Sequence, residues 1–221
     1  MVQAYDFLER NLITGTNKEY GYEYSFSRPS SYKYGPSQWL WGAAYAISSL
    51  TIDSGAHQII WARRDVDRAI ADLRGMLNFQ LVDGRIPEMI NWQAERQGFL
   101  AHFLTRIQYS HTTYNDLTQM PVLPYSLRAI YEQTKDTELL REIVPKLVRY
   151  FQWWKENRDI NDNGLVTIIH PWESGIDLSP AYDPALNVPE RARARPTWKQ
   201  AYSPLIKLIL QYNFLHGTPH L

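Results

Sequence analysis

Two carboxylates stand four residues apart in His170–Pro180, which reads HPWESGIDLSP: Glu173 and Asp177, beside the indole of Trp172. A pair of acids is the basic equipment of glycoside hydrolysis. One protonated acid serves the leaving oxygen, and a second carboxylate acts across the sugar ring. An acid flanked by Trp172 and Ile176 in an apolar loop would have a raised pKa and keep its proton near neutrality. Pro171 and Pro180 stop a helix from running through, and Gly175 permits a turn with positive φ. The stretch reads as a rigid loop that presents side chains. The competing role for either acid is structural, capping the loop or pairing with Arg191, Arg193 or Arg195.

A second group of candidates is Trp39, Trp41 and Asp53. Indoles two residues apart can wall a sugar subsite, and a carboxylate can take two hydrogen bonds from vicinal hydroxyls. The plain alternative is a pair of Trp side chains buried in a core. DINDNG at Asp159–Gly164 matches the opening of a calcium loop, but the twelfth position is His170 where that loop needs a bidentate Glu. It reads as an Asx-rich turn. The six His residues show no metal-binding spacing, and no nucleophile elbow or phosphate loop occurs. No metal and no cofactor is implied.

Composition narrows the choice of partner. Lys+Arg and Asp+Glu both number 23, so the basic footprint of a nucleic-acid binder is missing. The absence of Cys excludes thiol catalysis, Cys-based zinc sites and disulfides. No apolar run is long enough for a membrane span, and no signal peptide follows Met1, which makes cytoplasm the default location. Eight Trp and 15 Tyr in 221 residues exceed what one core requires; most of these rings read as core or rim packing, and the remainder suit sugar faces or peptide partners alike, the neutral charge arguing against bases.

The elements that must position these residues are mostly helical. Residues 1–14 suggest a short helix with Ala4, Phe7 and Leu8 on one face, and 15–38 a long aromatic loop with a short hairpin. Asp65–Gln80 is the clearest helix, with Val66, Ala69, Ile70, Leu73, Met76 and Leu77 at i, i+3, i+4 spacing. Asp83-Gly84 predicts a turn, and 91–118 a loop with a short helix near Phe99–Ile107. Pro121–Thr134 and Thr137–Asn157 predict two more helices, the second kinked or restarted at Pro145. Leu165–Ile169 suggests a short extended piece, 183–197 a loop, and Trp198–His216 a last helix. The pattern is all-α, stacked antiparallel pairs, with no strict repeat.

HPWESGIDLSPAYD resembles the general-acid loop of glycoside hydrolase family 63 and its mannosylglycerate and glucosylglycerate hydrolase relatives. The resemblance extends over roughly residues 20–215 through QWLW…DSGAHQ, GRIPEM, TQMPVLPYSLRAIYE, YFQWWKENRD and NGL, in that order. It implies an (α/α)6 barrel and inverting hydrolysis of an α-glycosidic bond, with Asp177 as general acid. It places Trp39, Trp41, Asp53, Gln119 and, more loosely, Tyr34 at the glycone subsite, and has Trp172 and Glu173 shape the acid loop. The partner implied is a small α-glycoside or oligosaccharide.

The chain departs from the family pattern twice. The family reads W-L-W-D-S without a break, whereas here Gly42–Ile52 separates Trp41 from Asp53. Removing those eleven residues restores QWLWDSGAHQ, so the insert would lengthen a helix or represent a retained intron, and either would displace Asp53 from Trp41. Second, the family's catalytic base is a later Glu, and no residue here matches it. Residues 1–221 are thus expected to form about half of the barrel, with the acid half of the site. Exposed half-barrel faces would then favour self-association. An inactive sugar-binding or helical interaction fragment is the alternative expectation.

Overall fold

The computed structural model describes residues 2–28, 48–93, 111, 113–176 and 179–182. Five α-helices occur among them: α1 (Val2–Arg10), α2 (Thr51–Trp61), α3 (Val66–Asn78), α4 (Leu123–Thr134) and α5 (Thr137–Arg158). Four short strands accompany them. β1 (Leu12–Thr16) pairs antiparallel with β2 (Glu23–Ser27), from Leu12↔Ser27 to Thr16↔Glu23, and β3 (Ser48–Leu50) pairs with β4 (Met89–Asn91).

The helix boundaries follow from local chemistry. The Asp65 carboxylate accepts from the Arg68 N–H at 3.3 Å and caps α3. Asp136 caps α5 through the N–H groups of Glu138 (2.9 Å) and Leu139 (3.0 Å). Pro124 lies in the first turn of α4, where its missing N–H costs nothing, and Lys135 ends that helix in the left-handed region. α5 then runs without a break through Pro145, so no fresh helix starts there. Its buried side, Leu139, Ile143, Leu147, Tyr150, Trp153 and Trp154, is long enough for tertiary packing to outweigh one lost backbone hydrogen bond.

One core joins these parts. Ala69, Leu73, Met76 and Leu77 of α3 meet Trp61, Leu123, Leu127 and Ile130, with the inner side of α5 continuing the cluster. The hairpin closes one side, where Tyr24 and Phe26 pack on Trp92 at ring separations of 5.1 and 6.2 Å. α2 and α4 approach closely at Gly55, whose carbonyl accepts from Ser126 Oγ at 2.9 Å; a Cβ at 55 would run into Val122. Only Leu8 of the expected α1 face is buried. Ala4 and Phe7 face outward, because the chain leaves the helix directly into β1. Leu165–Ile169 forms no ladder and is largely exposed. The expectations for Phe99–Ile107, 183–197 and Trp198–His216 lie outside the described residues.

Asp72 on α3 is a buried acid in this core, 3% exposed, and neither carboxylate oxygen has a hydrogen-bond partner. Loss of hydration disfavours its charged form and pushes its pKa up to about 8. The Gln58 side chain of α2 lies near enough to the carboxylate to act against that shift, although it makes no well-formed hydrogen bond to either oxygen.

Candidate functional site

The loop carrying the two acids is built from its own polar atoms. Asp159 accepts from the Asn163 and Gly164 N–H groups, each at 2.9 Å, which closes the Asx-rich turn after α5. Farther on, His170 Nδ1 accepts from the Trp172 N–H at 3.2 Å and opens a single 3-10 turn, Pro171–Ser174. The imidazole meets the Trp172 ring edge-on at 4.9 Å. Ser174 Oγ donates to the Pro171 carbonyl at 2.6 Å and accepts from the Ile176 N–H at 3.1 Å. Gly175 then turns the chain at φ 70°, a conformation that costs glycine little.

Glu173 is fully buried and anchors this loop to the end of α5. Arg158 Nη2 donates to Oε1 at 2.6 Å, and its Nε lies 3.2 Å from both carboxylate oxygens. The Ile169 N–H adds a bond to Oε2 at 3.1 Å. The Arg158 guanidinium also stacks over Trp153, 4.6 Å from the ring centre. A planar cation with a fork of donors suits such a seat, since an unpaired buried carboxylate would be costly. Among the described residues the cation that pairs with Glu173 is Arg158; Arg191, Arg193 and Arg195 lie outside them.

Gln119 joins the loop to the remaining elements. Its Oε1 accepts from the Ile52 N–H in α2 at 2.9 Å, while Nε2 donates to the Trp172 carbonyl at 3.2 Å and to Glu88 Oε1 at 3.4 Å. Asn115 Nδ2 holds the other Glu88 oxygen at 2.6 Å. Tyr150 of α5 donates to the Gln119 carbonyl and shares a 2.7 Å bond with the Thr118 hydroxyl; burial pushes its pKa up to about 12. The Met120 N–H meets the Glu173 carbonyl at 3.1 Å.

Of the residues expected to do chemistry, Gln119, Trp172 and Glu173 come together in this network, and Asp53 stands next to Ile52 in the first turn of α2. A carboxylate there is favoured by the helix dipole. Tyr34, Trp39, Trp41 and Asp177 lie outside the described residues. The insert is in part ordered structure: Ser48–Leu50 forms β3, and Thr51 and Ile52 begin α2.

Sequence reasoning missed Glu88, Arg158, Asn115, Thr118 and Tyr150. Glu88 falls within GRIPEM and Arg158 within YFQWWKENRD, so the strings were visible but the pairings were not. Among the described residues, no group of three or more His, Asp or Glu side chains is placed to hold a metal ion, and no helix is long and apolar enough to cross a membrane.

Residues 36–214 match the mannosylglycerate hydrolase MGH1-like glycoside hydrolase domain. Mannosylglycerate hydrolase of Thermus thermophilus is 32% identical over 158 residues, covering 69% of this chain and 35% of that protein. Glucosylglycerate hydrolase of Mycolicibacterium hassiacum is 27% identical over 169 residues, covering 68% and 34%. The crystal structure of the family 63 mannosylglycerate hydrolase from T. thermophilus with Tris and D-glycerate superposes with a TM-score of 0.64 at 28% identity, over 85% of this chain and 41% of that one. The chain thus spans about a third of the length of these curated relatives.

Proposed function

Because the chain belongs to the mannosylglycerate hydrolase MGH1-like glycoside hydrolase family, we propose that it carries the acid half of an inverting α-glycosidase site. The substrate is mannosylglycerate, glucosylglycerate or a related α-glucoside. Asp177 is the general acid that protonates the leaving oxygen. Asp53 and the indoles of Trp39 and Trp41 line the glycone subsite, with Tyr34 at its margin, and residues 1–221 contribute about half of an (α/α)6 barrel. No residue of this chain is assigned as the base that activates water on the opposite face of the sugar.

The observation that carries this reading is the double anchoring of the loop. Arg158 grips Glu173, and Gln119 ties Trp172 to the first turn of α2, where Asp53 sits. Glu173 and Gln119 spend their polar atoms on the protein, so their part is to position the loop, and Trp172 packs behind it. Such preorganisation is what an acid catalyst needs, since a general acid must meet the leaving oxygen within hydrogen-bond reach.

The test is calorimetric binding of mannosylglycerate and glucosylglycerate to the full chain, with released hexose assayed in parallel. Binding that falls on Asp53→Ala, together with any turnover being lost in Asp177→Asn, supports the reading. No binding of either glycoside, or turnover indifferent to Asp177→Asn, overturns it.

A second reading rests on α5, whose outer side exposes Val144, Val148 and Phe151 at i, i+4 and i+7. A fragment that self-associates through this stripe would sediment as a dimer, and Val148→Glu would return it to monomer. That result without sugar binding would favour an interaction module over a glycosidase.

A further inference from the structure

Ile52 is the last residue of Gly42–Ile52, the stretch with no counterpart in QWLWDSGAHQ. Two contacts tie it to the loop of Glu173. Its N–H occupies Gln119 Oε1 at 2.9 Å, which leaves Nε2 of the same amide facing the Trp172 carbonyl. Its side chain lies against Gly175: a Cβ at 175 would overlap Ile52 Cδ1 and sit 3.7 Å from Cγ1 and Cγ2. Gly175 is also where the 3-10 turn ends and the chain heads for Asp177. Leu50 and Thr51 hold Ile52 from behind. Leu50 pairs with Met89 and packs on Met89, Leu117 and Trp172. The Thr51 N–H donates to the Glu88 carbonyl at 2.9 Å, and its hydroxyl to the Pro87 carbonyl at 2.8 Å.

We propose that Ile52 is the positioning residue that seats the turn leading to Asp177, which makes the end of the insert a working part of the site. This rests on the assignment of Asp177 as the acid. Packed interiors transmit the loss of a few methyl groups. Shortening the side chain at 52 opens space beneath Gly175 while the backbone bond to Gln119 persists, so side-chain variants isolate the packing contact.

The experiment is residue-resolved hydrogen exchange on the full chain. Two probes report on the turn: the Gly175 amide, bonded to the Trp172 carbonyl at 3.1 Å, and the Ile176 amide, bonded to Ser174 Oγ. Ile52→Ala is expected to speed both by about tenfold, with Leu73 and Met76 of α3 unchanged and Ile52→Val within about threefold of the parent. A cycle with Gly175→Ala adds a second check. The strain of φ 70° is common to both backgrounds, but the collision with Cδ1 is not, so Gly175→Ala should lower the unfolding midpoint less when residue 52 is Ala. Unchanged rates at 175 and 176, equal effects of Ala and Val, or acceleration shared by α3 would overturn the proposal. Mannosylglycerate binding measured on the same samples separates the two ideas: a turn that responds to Ile52 in a chain binding no glycoside supports the seating and counts against the proposed function alone.

Discussion

Glu173 and Asp72 are both buried acids, and what surrounds them differs. Glu173 has a guanidinium and a backbone N–H on its two oxygens, in a loop whose bonds lead to α2 and α5. Asp72 has no well-formed hydrogen bond on either oxygen among the described residues, only Gln58 nearby in the core between α2 and α3, and burial raises its pKa to about 8. Burial alone does not mark a functional carboxylate. The buried acid whose partners come from separate elements organises a site, whereas the isolated one stores a liability that pH can release.

The largest expected effect comes from removing the partner. Arg158→Ala leaves Glu173 buried and unpaired and should cost about 3–5 kcal/mol in urea unfolding. Arg158→Met combined with Glu173→Gln should recover most of that loss. If the single variant is as stable as the parent, the pair does not anchor the loop.

Next comes the pH response of Asp72. Its carboxyl binds a proton more tightly folded (about 8) than unfolded (3.8), so the folded state carries the extra proton between those values. Stability should therefore be fully present below about pH 4, fall by at most about 1.4 kcal/mol per unit as pH rises toward 8, and level off above it. Asp72→Asn should flatten this slope in unfolding curves taken from pH 5 to 8. A parent curve with the same slope as Asp72→Asn would remove the contrast with Glu173.

Gln119→Leu should cost about 1–3 kcal/mol, because the Ile52 N–H and Trp172 carbonyl lose their partner. Exchange should quicken at Ile52 before it does in α3. The smallest effect belongs to an exposed pair, Arg74 with Glu142 at 2.6 Å, where the Arg74 guanidinium lowers the Glu142 pKa. Both side chains face solvent, so Glu142→Gln should change stability by less than about 1 kcal/mol. A larger loss would mean that exposure fails to rank these carboxylates.

Much of the helical frame was legible, because α3, α4 and α5 bury side chains at helical spacing, with Asp65 and Asp136 capping α3 and α5 and Pro124 opening α4. Pro145 does not end α5: it removes one backbone donor, and the packing of Tyr150, Trp153 and Trp154 outweighs that. The loop was legible as a loop from its prolines and Gly175. Its anchoring was not, because Arg158 and Glu173 lie 15 residues apart with nothing in their spacing to pair them, and three arginines on the other side of the loop competed. Gln119 could be read as a candidate, but its bonds reach Ile52, 67 residues earlier, and Trp172, 53 later. Long-range partners of this kind leave no periodic trace.

α5 ends in the residue that grips Glu173, and that gives its length a meaning. Each residue of an α-helix advances about 1.5 Å and turns about 100°. Deleting one residue between Trp154 and Arg158 would swing the guanidinium away from Glu173 while leaving every core side chain upstream in place. Single-residue insertions and deletions in this last turn should therefore be tolerated far less than substitutions at its solvent-facing positions, so the helix works as a gauge block whose count of residues sets where the loop begins.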